Sequence, residues 1–141
     1  MNKLLLFFCL LASTSVFSDL KSDLDNQINP LMDKVIEWRH DIHQNPELSN
    51  REYRTAKKIE AHLRSLGIKV ETKIAYTGVV GLIEGALPGP TIALRADMDA
   101  LPVVEKTGLP FASKDKTKYL GQTVGIMHAC GHDAHVAILM G

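Results

Sequence analysis

The sequence predicts an α/β fold, on three observations. Apolar residues recur at three- and four-residue spacings between residues 30 and 66. Short alternating or apolar runs follow between 68 and 94. A dense group of ligand-type side chains at 127–135 then leads into the apolar stretch 136–140. Helical periodicity, then strand-like runs, then a further helix implies mixed layers around one core.

The composition, 45% hydrophobic and 23% charged with a formal net charge of zero, is that of a globular chain. It carries no basic or acidic bias that would suggest nucleic acid or a highly charged partner. Residues 1–18 differ from the rest: Lys3 is their only charge, an apolar core follows, and Val16-Phe17-Ser18 offers small residues at a cleavage site. They read as a secretory signal peptide cut after Ser18, with the product exported to the periplasm or secreted. The apolar run is too short to anchor the chain comfortably in a bilayer. Cleavage would remove Cys9 and leave Cys130 as the single thiol, which excludes an intramolecular disulfide.

From Pro30, a first-turn residue, the positions Leu31, Val35, Trp38 and Ile42 share a helical face. Asn45-Pro46 ends that helix, because the residue before proline is pushed out of helical angles. Ser49 and Glu52 have the spacing of a capping box. A second helix should follow with Tyr53, Ala56, Ile59, Leu63 and Leu66 on its apolar side, and Gly67 suits its C-terminal cap. His40 and His62 read as surface residues, while His43 and Glu47 flank the inter-helix turn in a structural role.

Ile68, Val70 and Thr72 alternate with charged residues as in a half-exposed strand, and residues 78–84 read as a short buried one. After a Leu87-Pro88-Gly89-Pro90 turn, 91–94 reads as a third strand. It delivers Arg95, Asp97 and Asp99 at its carboxyl end, where open α/β sheets place ligand-binding groups. A solvated acidic turn before Pro102 is the plain alternative. Residues 103–122 are polar, lack periodicity and read as a long surface excursion.

The chemistry concentrates in Met127-His128-Ala129-Cys130-Gly131-His132-Asp133-Ala134-His135. Cys130 and His132, one glycine apart, can point to one side of a turning backbone, and thiolate and imidazole suit borderline-soft divalent metals. His132 and His135 stand three apart, as on the first turn of a helix. A Cys-His nucleophilic pair is the rival reading, using Cys130 with His132 or His128. Catalytic Cys and His are usually distant in sequence, so adjacency favours a metal.

Three segments carry a resemblance. Trp38-Arg39-His40-Asp41-Ile42-His43-Gln44-Asn45-Pro46-Glu47-Leu48-Ser49, then Ala93-Leu94-Arg95-Ala96-Asp97-Met98-Asp99-Ala100-Leu101-Pro102, then the Met127 to His135 stretch occur in order. Together they resemble the N-terminal part of the amidohydrolase branch of metallopeptidase family twenty, which includes hippurate hydrolase, N-acyl-amino-acid amidohydrolases and auxin-conjugate hydrolases. The resemblance implies an incomplete three-layer αβα zinc-peptidase-like catalytic domain over 19–141, truncated after the first metal-ligand motif. It implies a two-metal hydrolase, with manganese, zinc or cobalt, acting on the amide bond of a small-molecule N-acyl amino acid. Cys130 and His132 match metal ligands, and Asp97 matches an active-site carboxylate near the metals. Arg95 stands where related peptidases carry a metal-binding histidine. Asp133, His135, Arg95 and Asp99 are expected to orient ligands or meet substrate. The family's later acidic pair, histidines and small lid or dimerisation domain have no counterpart up to Gly141. The expectation is therefore a fragment with weak metal binding and no turnover of its own. No nucleic acid and no membrane anchor are expected, and the oligomeric state is open.

Overall fold

The computed structural model describes residues 19–141, so the expected signal peptide lies outside the described residues. The chain divides into two units between Lys34 and Val35. In the first, residues 19–28 are helical, a segment outside the expected elements although Leu20, Leu24 and Ile28 recur four apart, and an Asn29–Leu31 3-10 turn follows. The described side chains of this unit are exposed.

Helix α1, Met32–Gln44, ends just before Asn45-Pro46 as expected, and the Asn45 side chain donates to the Asp41 carbonyl at 2.8 Å. Its inner face buries Ile42 completely, with Val35 and Trp38 half-buried. Helix α2, Tyr53–Ser65, closes with two bonds: Gly67 (φ 74°) donates to the Arg64 carbonyl and Ile68 to that of Leu63. This paired closure uses a left-handed residue that glycine adopts without strain.

The start of α2 departs from the expected capping box. Ser49 caps nothing there, and Glu52 turns instead to the Asn50 backbone N–H and the Thr77 hydroxyl. Glu47 supplies the cap from outside the motif: its carboxylate accepts the backbone N–H groups of Arg54 (2.9 Å) and Thr55 (2.8 Å) and the Thr55 hydroxyl (2.9 Å). A carboxylate at a helix N-terminus satisfies orphan donors and complements the helix dipole. Glu47→Ala is expected to cost about 1–2 kcal/mol in a urea melt, the scale of a lost cap. The inner face of α2 also differs from the periodic reading, since Tyr53 and Leu66 are exposed while Thr55 is fully buried.

Strands β1 (Lys69–Ile74) and β2 (Gly78–Leu82) form an antiparallel hairpin with Lys69 opposite Leu82 and Thr72 opposite Val79. The alternation in β1 appears as expected, but β2 is not a buried strand: Val80 and Leu82 are exposed. Strands β3 (Lys116–Tyr119) and β4 (Gln122–Gly125) form a second antiparallel hairpin around the positive-φ pair Leu120-Gly121. That pair gives the turn a backbone twist matching its strands. Residues 91–94 belong to no strand among the described residues, and Ile92 and Leu94 are exposed. The expected third strand is extended chain without a ladder.

Helix α3, His132–Met140, follows Gly131, whose φ of 82° makes the turn into it. Ile42, Val136 and Met140 form the core, with Trp38, Ile59, Ala96 and Met98 packed against them. Three short pairings then hold the loops together: Ala100 N–H to the Glu47 carbonyl at 2.7 Å, and a reciprocal Leu101–Met127 pair at 2.9 and 3.1 Å. These bonds carry the 95–101 segment to the ligand-rich loop. No described helix is long and apolar enough to cross a membrane.

Candidate metal centre

Asp97, His132 and His135 converge at the start of α3, with one donor atom from each within 4.8 Å of the others. His132 Nδ1 donates to the Asp99 carbonyl oxygen at 2.9 Å and lies 3.0 Å from the Asp99 carboxylate. A carbonyl oxygen only accepts, so Nδ1 carries a proton, and Nε2 is the nitrogen that a cation would meet. Nε2 faces the Asp97 carboxylate at 3.7 Å. His135 Nδ1 meets the other Asp97 oxygen at 2.9 Å. The hydrogen bond from His135, with the Asp97 backbone N–H and the charges of His132 and Arg95, holds the Asp97 carboxyl below the usual carboxylate range against the opposing effect of burial. Arg95 Nη1 lies 3.3 Å from Asp97 with its side chain 82% exposed.

Two imidazoles and a carboxylate are the donor set of an open catalytic zinc-type site. A ligating histidine oriented by a carbonyl or carboxylate on its other nitrogen is the usual supporting arrangement. The donor set therefore fits a divalent cation. Cys130 is exposed and stands outside this three-residue cluster. Asp99 lies against His132 Nδ1, and His135 is itself one of the three converging residues. Asp133 is not at the cluster. It turns away from His132 into the interior, where it accepts from His43 Nδ1 (2.9 Å) and Arg39 Nε (3.2 Å). The reason is its place on the first turn of α3, facing the packed C-terminal end of α1.

That interior network is what sequence reasoning missed. His43 Nε2 reaches Glu105 Oε1 at 3.0 Å, and the Glu105 side chain is wholly buried. Glu105 also accepts from the Thr107 hydroxyl and the Ser113 backbone N–H. Residues 103–122 are thus not a plain surface excursion; they return a carboxylate to the core. Burial raises the Glu105 carboxyl, but the bonds from Thr107, His43 and Ser113 outweigh it and leave the group lowered. The same balance lowers Asp133, where burial is overcome by the His43 bond and the charges of His128 and His43. His40 and His62, read as surface residues, are half-buried. His40 stacks on Phe111 at 3.7 Å, while His62 bonds the Met140 carbonyl at 2.8 Å and packs edge-on against Trp38. His128 is 4% exposed, and neither ring nitrogen has a partner among the described residues. Burial first, then the nearby His43 and His132, pushes it down to about 4, against the pull of Asp133 and Asp99.

Asp97, His132 and His135 thus form a candidate cation site where a loop turns into a helix, beside an acidic extended segment. Residues 93–141 match Peptidase family M20/M25/M40. The chain is 51% identical over 124 residues to thermostable carboxypeptidase 1 of Saccharolobus solfataricus, covering 87% of this chain and 30% of that one. It is 39% identical over 121 residues to N-acyl-L-amino acid amidohydrolase of Geobacillus stearothermophilus, covering 86% and 30%. Its fold is similar to a Bacillus subtilis dinuclear metal binding peptidase from the M20 family, with a TM-score of 0.69 and 43% identity over 79% of this chain and 29% of that one. The chain is similar to M20 peptidases, and it spans about 30% of the length of these relatives. Its mixed helix and strand fold is similar to the matching part of those structures.

Proposed function

We propose that this chain carries part of the metal centre of a hydrolase that cleaves the amide bond of N-acyl amino acids. The observation that carries the reading is the convergence of Asp97, His132 and His135 within 4.8 Å. Asp97, His132 and His135 would hold a divalent cation, with Cys130, two residues before His132, outside the three as they stand. A bound cation of this kind polarises a scissile carbonyl and lowers the pKa of a water. Asp99 fixes the ring and proton of His132, and Asp97 stays ionised between two imidazoles. Arg95 is exposed beside Asp97 and is available for the carboxylate of an amino-acid substrate.

The relatives named above support a second substrate class, a peptide cut at its carboxyl end. Both classes place an amide next to an amino acid with a free carboxylate, so both suit an arginine beside the centre. Cobalt titration followed by visible absorption tests the site. Saturable one-to-one binding is expected, weakened at least about tenfold in Asp97→Asn, where one charged ligand is lost. The absence of saturable binding, or equal binding by Asp97→Asn, would overturn the centre. Titration of the cobalt-loaded chain with N-acyl amino acids and with peptides, read by the visible absorption, separates the substrate classes without requiring turnover. A spectral change with hippurate but not with peptides favours the first, and the reverse favours the carboxypeptidase reading.

A further inference from the structure

His43 lies behind the candidate centre, 5% exposed, with each ring nitrogen against a different carboxylate: Nδ1 on Asp133 at 2.9 Å and Nε2 on Glu105 at 3.0 Å. Ionised carboxylates only accept hydrogen bonds, so the pair is satisfied when His43 donates from both nitrogens. The three groups come from three separate parts of the chain: the end of α1, the 103–115 loop and the first turn of α3. Asp133 is the residue after His132 and two before His135. Arg39, one turn before His43 on α1, holds the same Asp133 oxygen at 3.2 Å. His132 in turn is held on its other side by Asp99.

We propose that His43 is a positioning residue: a two-sided clamp that fixes the first turn of α3, and so sets the orientation of His132 and His135 toward Asp97. This rests on the metal-centre reading for its purpose but not for its test. Asp133 is the grip on the helix, and Glu105 is the anchor that stops the His43 ring from rotating. Because a doubly donating ring has no freedom to flip between tautomers, the clamp transmits one geometry rather than several. The effect on the centre is indirect, since His43 touches none of the three converging side chains.

The test uses the full chain with nitrogen-15-labelled histidine, read by long-range proton–nitrogen correlation of the imidazole rings without metal. The expected wild-type result is a His43 ring protonated on both nitrogens and a His132 ring in a single tautomer with the proton on Nδ1. In His43→Gln, which keeps one amide donor, His132 is expected to become a mixture of tautomers while the far-ultraviolet circular dichroism stays unchanged. Cobalt affinity is expected to fall about tenfold, one lost charged hydrogen bond's worth of ordering. If His43→Gln does not fold, Glu105→Gln removes the anchor charge while keeping an acceptor, and the His132 spectrum is read there. An unchanged His132 tautomer in a folded variant overturns the clamp, as does a wild-type His43 with only one protonated nitrogen. A wild-type chain that binds no cobalt but shows the tautomer change overturns the metal centre and leaves the clamp standing.

Discussion

Replacing Asp133 by alanine is expected to lower the unfolding free energy of the metal-free chain by about 3–5 kcal/mol, the cost of removing one partner from a buried charged network. The carboxylate is 1% exposed and holds both His43 and Arg39. Its loss leaves the buried His43 donor without an acceptor, which costs more than the bond itself contributed. Asp41 is the natural contrast. It pairs with Arg54 and Lys58 at 2.6 Å each, but all three side chains reach solvent, so Asp41→Ala is expected to cost no more than about 1 kcal/mol. Urea melts of the two variants measure the difference. A loss at Asp133 as small as that at Asp41 would show that the interior network is open to water.

The second large effect concerns pH. His128 has a folded-state pKa of about 4 against an ordinary value of 6.5, because its ring is buried without a partner. Between those values the unfolded chain binds a proton that the folded chain does not, so stability rises with pH across this window. The contribution is complete above about pH 6.5 and fades as pH falls toward 4. The expected loss in the metal-free chain is about 2 kcal/mol at pH 5 relative to pH 7.5, approaching about 3 kcal/mol at pH 4. Glu105 and Asp133, whose carboxyls are held low, add their own loss only as pH falls below their unfolded values. His128→Leu should flatten the slope between pH 6.5 and 5 and leave the acid limb in place. It should cost little at neutral pH, since no partner of His128 is stranded by the change. A slope that survives in His128→Leu would assign it to another group.

The ends of α1 and α2, the alternation in β1 and the loop-to-helix turn at Gly131 were legible because each is written in local terms. Pro46 stops one helix, Gly67 closes another, and residue spacing sets which side chains share a face. The approach of Asp97 to His132 was implied only by the family resemblance, since no spacing joins two motifs this far apart, and Cys130 stands outside the three converging residues. Glu105 gave no such signal. It sits in a stretch without periodicity, and only the fold joins it to His43, sixty-two positions away. Asp133 misled for a related reason: its neighbours in sequence point to the centre, but its place on the helical turn points it inward. The Ser49–Glu52 spacing was likewise a local pattern overridden by a longer contact, since Glu47 reached the same helix end first. Residues 91–94 have strand-like composition, but a strand exists only where another lies beside it.

That bare run of backbone has a dynamic consequence. Residues 83–95 have no ladder to protect them among the described residues, whereas Ala96 and Met98, on either side of Asp97, pack against the core. Amide protons in the run should exchange with solvent well ahead of those in the β1–β2 hairpin. Arg95 marks the border between chain without a ladder and chain packed on the core. A molecule that grips its guanidinium must still the run behind it and lose affinity to that ordering, while one whose hold stops at Asp97 meets a platform already at rest.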